Sequence, residues 1–420
     1  MTLLACGGGS DSEALAAGPG TSPAPAPAPA PVPAPSPAPA PSPAPAPAPG
    51  TTACDTAPGR KLFVGPGQTY STISAAAAAA VNGDVVMISA GAYTGDVASW
   101  RQSNLTICGV GGRARLYANG RQAAGKGIWV IGGSNVVIDS IEFHDAKVPD
   151  QNGAGIRAEG NGLTIINSGF YDGENGILGP DAGDLIIIRS EFARNGFGDG
   201  YTHNIYVGPA NKVTVTASYF HEAKIGHNFK SRARETRIED SYFMDGPSGT
   251  ASYQVDVPNG GSVFLRGNML QKGPDADNST VINYGSEGLR SGYTHTLELI
   301  HNTVVSTYSG GAFLNIVPGV GSVKLTANLF AGTNSPAKYI GGVSSSKVTE
   351  ADNLTSTAGS LTAPTDISNP NFWPASALVG QTILSGIPDP TYASDAPRPY
   401  STRAIDTTKA RRIGALQSAP

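Results

Sequence analysis

Charge is scarce in this 420-residue chain. Asp, Glu, Lys and Arg together make up 14 % of it, against about 25 % in an average globular protein. The net charge of −4 gives no basic excess of the kind that nucleic acid requires. No run of about 18 apolar residues occurs, which excludes a membrane-spanning helix. Cysteine is limited to three positions, Cys6, Cys54 and Cys108. What is plentiful is glycine, 54 residues, and proline, 33. Proline fills every odd position from Pro23 to Pro49, and with Pro19 this places 15 of the 33 in the first 50 residues. Six glycines fall there too, leaving 48 in the other 370 residues. That remainder suits many tight turns and short strands, and it argues against a helical bundle or coiled coil. It is long enough to bury a large core, as one elongated domain or two compact ones.

Leu3-Leu4-Ala5-Cys6-Gly7 resembles the lipobox of bacterial lipoproteins, in which the cysteine is lipidated. The likeness departs in one respect, because only five residues precede Cys6 and a signal needs a charged region and a longer apolar stretch. The alternating Pro-Ala segment from Ser22 to Gly50 buries nothing. In extended polyproline II form it spans roughly 85 Å at about 3.1 Å per residue. Three parts are therefore expected: residues 1–21 as a lipobox-like segment, 22–50 as a linker and 51–420 as the folded domain. With Cys6 lipidated, Cys54 and Cys108 remain as a pair that an oxidising compartment would join. The corresponding location is the cell envelope, tethered through Cys6, or outside the cell.

Beyond the linker the chain repeats itself. The segment apolar-x-apolar-x-x-Ser/Asn-x-aromatic or aliphatic runs from Leu163 to Phe170 and from Leu185 to Phe192. It recurs at Val213–Phe220, Thr236–Phe243, Val263–Leu270, Leu297–Val304 and Val323–Phe330, with a related opening at Val137–Phe143. The polar column is Ser140, Ser168, Ser190, Ser218, Ser241, Asn268, Asn302 and Asn328. A shorter strand precedes each unit, with Ile128, Ile156, Ile177, Ile205, Phe229, Val255, Ile282 and Leu314 expected to face the core. The units are too short for αβ pairs, and alternation of period two excludes a helical solenoid. Stacked coils fit, with equivalent residues about 4.8 Å apart, so that the polar column hydrogen-bonds along the stack and the Phe residues pile up beside it.

This repeat resembles the right-handed parallel β-helix of the pectate-lyase-like superfamily, over about residues 61–418. The opening segment from Val64 to Tyr93, with a helix at Ala75–Ala80, resembles that superfamily's first coil and the helix capping it. Arg412-Ile413-Gly414-Ala415-Leu416 resembles its closing segment. The expected fold is all-β, a right-handed parallel β-helix with an N-terminal capping helix.

Ligands of that architecture lie on the outer face of one sheet, so the outward positions of the shorter strands are the candidates. One column reads Trp129, Arg157, Leu178, Tyr206, Lys230, Asp256 and Asn283. Asn204, Asn228, Gln254 and Arg232 are also expected to face out, Lys230 and Arg232 about 6.6 Å apart on one face. His203 and His227 occupy equivalent places ahead of two of these strands, facing inward or toward a corner, and lack acidic neighbours at the spacing of a zinc site. His144, His221, His295 and His301 fit surface or ladder positions. Lys224, Arg234, Arg237 and Lys272, offset by Glu222, Glu235, Glu239 and Asp240, fit a solvated mixed face.

Such a cluster suits an acidic sugar. Removing the proton beside a uronic carboxylate requires neutralising that carboxylate. A base takes the C5 proton, and an acid protonates the departing glycosidic oxygen. Lysine and arginine groups of this kind are what the resemblance to β-helix polysaccharide lyases implies. The expected roles are Lys230 as base, Arg232 as neutraliser and Tyr206 as acid, with His203 or His227 able to replace either proton carrier. Asn204, Asn228, Asp256 and Arg157 are expected to bind substrate. Asp256 would orient Lys230 or serve as a calcium ligand, the one cofactor in view. Tyr253, Tyr284 and Trp129 are candidate sugar-stacking platforms. The expected activity is β-elimination on a uronate-containing polysaccharide by a monomer that meets membrane only through its tether. The alternatives are a uronate C5 epimerase and a glycoside hydrolase on Asp256 with Glu287. A non-catalytic glycan-binding adhesin represents another class.

Overall fold

A computed structural model describes residues 51–374, 392–395, 398–405 and 411–417. The lipobox-like segment and the Pro-Ala linker lie outside the described residues. Among the described residues thirty-one strands form two large sheets, one of 21 strands and one of ten. All their pairings are parallel; in the larger sheet two ladders share the long strands Val85–Thr94 and Thr106–Tyr117. The ten-stranded sheet runs from Ala98–Trp100 to Ala337–Ile340, one strand per coil.

The polar and aromatic columns hold the stack together as expected. Ser168 N–H donates to Ser190 Oγ at 3.2 Å, and Ser190 N–H donates to Ser218 Oγ at 3.2 Å. From Asn268 the amides take over: Asn268 Nδ2 donates to Asn302 Oδ1 and Asn302 Nδ2 to Asn328 Oδ1, each at 3.0 Å. Each side chain also bonds a carbonyl within its coil's turn or the coil before, as Ser168 Oγ does with Ile166 O. Polar groups that a turn would otherwise bury unpaired are thus satisfied. The residue ahead of each ladder position is left-handed, with φ of 45° at Asn167 and 46° at Arg189. Ser140 itself takes that conformation, at 61°, so the column proper begins at Ser168. Phe143, Phe170, Phe192, Phe220 and Phe243 form a stack with neighbouring centroids 4.6–4.9 Å apart.

The capping helix spans Ile73–Ala79, with Ile73, Ala76 and Ala77 on the core. Thr72 Oγ1 accepts from Ala75 N–H, and the Asp96 carboxylate accepts from Ile73 N–H and Ser74 N–H. The first four orphan N–H groups of a helix are what such oxygens satisfy. A disulfide joins Cys54 to Cys108. Ala415 N–H donates to Thr303 Oγ1 at 3.0 Å. Ala415 and Leu416 belong to the apolar cluster that also holds Tyr219, Tyr242 and Met269 on the outer side of the second ladder, the one through Gly169–Tyr171, Glu191–Ala193 and Tyr219–His221, so the C-terminal segment covers a flank.

The registers of the shorter strands correct one assignment. Trp129, not Ile128, pairs with Ile156. Trp129 is fully buried and meets Trp100 and Phe143 edge to face. It is core, not a sugar platform. From Ile156 to Leu314 the inward residues are those expected.

Candidate active site

The outward column of the ten-stranded sheet assembles from single residues of successive three- to five-residue strands. Arg157 pairs with Leu178, Leu178 with Tyr206, Tyr206 with Lys230, Lys230 with Asp256, and Asp256 with Asn283. Arg232 follows the strand Phe229–Ser231 directly. Its Nε donates to Tyr206 Oη at 2.8 Å, and a further nitrogen donates to Asn259. A guanidinium accepts nothing, so the Tyr206 proton remains free to be donated elsewhere.

Lys230 Nζ meets Asp256 Oδ2 at 3.2 Å and Glu287 Oε1 at 2.9 Å. Glu287 Oε2 meets Arg232 Nη2 at 2.6 Å. His227 Nε2 lies 3.1 Å from Asp256 Oδ2, while Asn283 Nδ2 donates to Oδ1 at 2.6 Å. Burial works to raise the Asp256 pKa, but His227, Lys230 and Asn283 outweigh it and hold it below the usual carboxylate value. At Glu287 burial is likewise outweighed by Lys230 and Arg232. Calcium takes six to eight oxygen ligands, and Asp256 is surrounded by donors instead. Among the described residues no three His, Cys, Asp or Glu side chains group to hold a metal. Asp256 does not fit the calcium role.

His203 and His227 stack at 4.7 Å between centroids. His227 N–H donates to His203 Nδ1 at 3.0 Å, so a neutral His203 carries its proton on Nε2. Burial, with His227, Lys230 and Arg232 alongside, holds the His203 pKa well below the ordinary histidine value. His227 Nδ1 is enclosed without a partner.

Several expected contacts are not available. Asn204, Asn228 and Gln254 are fully buried and linked: Asn204 Nδ2 donates to Asn228 Oδ1 at 2.7 Å and Asn228 Nδ2 to Gln254 Oε1 at 2.6 Å. They form a second internal ladder at a corner, because their strands begin one residue later and the turn carbonyls lie inside. Tyr284 is core, its Oη donating to Gly261 O. Tyr253 is half-buried, with its ring 5.2 Å from His227. Lys272 is wholly buried and donates to the carbonyls of Ala251 and Ser252, and burial lowers its pKa to about 8. Glu239 and Asp240 are buried as well, so that face is not simply solvated. Of the surface or ladder positions open to His221, it takes the ladder: it ends the strand Tyr219–His221 and is buried between Glu191 and Glu222.

A groove of about 510 Å³ opens beside Tyr206 and is lined by Arg157, Glu159, Asp181, Tyr201 and Tyr206 among others. Arg157 thus stands two coils from Tyr206, about 10 Å along the sheet. Sequence reasoning missed Tyr201, which is 84 % exposed; its signal was the glycine-rich run Gly196-Phe197-Gly198-Asp199-Gly200-Tyr201 just ahead of His203. Glu287 entered only as a weak second carboxylate.

A family model described as "Right handed beta helix region" matches residues 91–270. The chain has a right-handed parallel β-helix fold. The crystal structure of pectate lyase Pel9A superposes on this β-helix with a TM-score of 0.54 at 14 % identity, over 85 % of this chain and 96 % of that one. ORF18 of Geobacillus virus E2 gives a TM-score of 0.41 at 15 % identity, over 65 % of the β-helix chain and 52 % of that one. No curated protein matches the sequence.

Proposed function

We propose that this β-helix protein is a polysaccharide lyase acting on a uronate-containing polymer. The observation that carries the reading is Lys230 and Arg232 on one outer face, with Tyr206 bonded to Arg232 at the mouth of a groove. In the proposed reaction Arg232 binds the uronate carboxylate. Lys230, deprotonated, takes the C5 proton, the C4–O bond breaks as a C4=C5 double bond forms, and Tyr206 gives its proton to the departing oxygen. An ammonium between two carboxylates is a donor and not a base, so Lys230 acts only after substrate has displaced Glu287 and the ammonium has released its proton to solvent. His203, neutral with Nδ1 already accepting, can donate a hydrogen bond from Nε2 but carries no proton in either direction. Asp256 positions Lys230 and His227.

Hydrolysis has one observation in its favour, since Glu287 joins Asp256 around Lys230. A hydrolase needs one of the two carboxyls protonated, and both are held below the usual carboxylate value. Elimination therefore leads. The Cys54–Cys108 disulfide supports an oxidising, extracytoplasmic location, and we include tethering through Cys6 in the proposal.

The test is incubation with alginate, pectate, glucuronan and bacterial exopolysaccharides. Elimination gives an ultraviolet-absorbing double bond, lost in Lys230→Ala and Arg232→Ala. Solvent hydrogen at C5 without cleavage means an epimerase. Reducing ends without unsaturation mean a hydrolase, and binding without turnover means an adhesin. Any of these three outcomes, or a lyase indifferent to both substitutions, overturns the assignment.

A further inference from the structure

Lys230 and Arg232 share one counter-ion that does not come from the sheet. Asp256 belongs to the neighbouring strand, is 1 % exposed and is fixed by His227 and Asn283. Glu287 comes from the loop after the strand Thr280–Tyr284, and its side chain is 44 % exposed. Its two oxygens divide between the two cations, Oε1 on Lys230 and Oε2 on Arg232. This is the geometry in which any carboxylate bridges a lysine and an arginine.

The loop backbone is anchored. Glu287 N–H donates to Pro258 O, Gly288 N–H to Gly285 O and Arg290 N–H to Asn259 O, each at 2.9 Å. Asn259 Nδ2 donates back to Gly288 O. Gly285 and Gly288 take φ of 86° and 95°, so the turn depends on residues free of a Cβ. Displacing the carboxylate therefore needs rotation of one half-exposed side chain and no rearrangement of the loop. With Glu287 in place, two cations face two carboxylates. With it turned to solvent, one positive charge is unbalanced, and a ligand bearing one carboxylate restores neutrality. A neutral sugar does not.

We propose that the Lys230–Arg232 pair is a carboxylate seat, that Glu287 fills it in the free protein as an internal stand-in for an acidic sugar, and that substrate binds by exchanging its own carboxylate for that of Glu287. This rests on the reading of the site as one for a uronate polymer and adds how the site rejects neutral glycans. Glu287 is then a specificity residue. It sets a threshold that only a competing carboxylate crosses.

The experiment measures binding apart from turnover. Wild type, Glu287→Gln, Glu287→Asp and Arg232→Ala are titrated by calorimetry with oligogalacturonate, oligomannuronate, oligoglucuronate and a neutral oligoglucoside. Thermal melts establish that each variant is folded. Glu287→Gln is expected to bind its best oligouronate about tenfold tighter than wild type, a change that corresponds to about 1.4 kcal/mol. Glu287→Asp, charged but too short to bridge both cations, should fall between the two, and Arg232→Ala should lose the binding. The neutral oligoglucoside should show no gain in any variant. A folded Glu287→Gln that binds oligouronates no tighter than wild type, or more weakly, overturns the proposal. Unsaturated product is assayed in parallel. Tighter binding without product leaves the seat standing and removes the lyase, whereas product without tighter binding does the reverse.

Discussion

Two clusters of ionisable side chains lie on different flanks of the coil, and they are built differently. On the second ladder, Tyr171 Oη donates to Glu191 Oε2 at 2.7 Å, Glu191 Oε1 lies 3.1 Å from His221 Nε2, and His221 Nδ1 lies 2.8 Å from Glu222 Oε2. Every member sits on a strand or directly after one, and Tyr219, stacked on His221 at 4.2 Å, is tied by its Oη to Ile367 O. On the ten-stranded sheet, Lys230 and Arg232 lean on a carboxylate from a loop, beside an open groove. Both clusters contain histidine, carboxylate and tyrosine. Composition therefore does not mark a site in this fold. A partner that can leave, next to space for a ligand, does.

The largest expected effect follows from that contrast. Arg232→Ala should lower turnover of the polymer by about 10²–10³-fold, with urea unfolding changed by less than about 1 kcal/mol because the residue is partly solvated. Glu191→Ala should do the opposite. It leaves His221 with one carboxylate and the Tyr171 hydroxyl unpaired, costing about 3 kcal/mol while turnover persists. If Glu191→Ala, still folded, loses as much activity as Arg232→Ala, the distinction between the two clusters collapses.

The histidines sharpen the comparison through pH. At His221 burial disfavours the charged ring, but hydrogen bonds to Glu191 and Glu222 outweigh it and raise the pKa. That stability is complete below about pH 6.5, the ordinary histidine value, and is lost as the pH rises through the raised folded value. Buried His203 is shifted down. Below about pH 6.5 the unfolded chain takes a proton that the native site refuses, so its contribution declines as the pH falls. Urea titrations from pH 5 to 9 should therefore show an alkaline loss that His221→Gln reduces and an acid loss that it leaves in place.

The stack was legible because it repeats: period-two alternation with Ser, Asn and Phe at fixed offsets has one physical solution, equivalent residues above one another. Parity is weaker where strands are short. Ile205–Val207 has three residues, so Asn204 already belongs to the turn and its amide serves buried groups. In Gly127–Ile131 all five residues are buried, and alternation alone does not select Trp129 over Ile128. Tyr284 lies two residues after inward Ile282, so the same alternation assigns it to the core despite the polar hydroxyl. Glu287 is 57 residues from Lys230 in a loop with no periodic signal, and only folding brings the two together.

The smallest effect concerns the groove itself. The loop before His203 is tied back by Phe197 N–H to Thr202 Oγ1 at 2.6 Å and Tyr201 N–H to Asp199 Oδ1 at 2.9 Å. Its turns use Gly196, Gly198 and Gly200 with φ of 128°, 102° and 83°. Holding an exposed tyrosine on a braced loop gains nothing for the core, and a flat ring at the groove's edge is a surface on which a sugar can stack. Tyr201→Ala should raise KM for the polymer about threefold to tenfold and leave kcat and urea unfolding unchanged. A drop in kcat would move Tyr201 from the groove into the chemistry. No change in KM would confine substrate to the Lys230–Arg232 end, and Arg157, three coils from Lys230, would then lose its expected part in binding substrate.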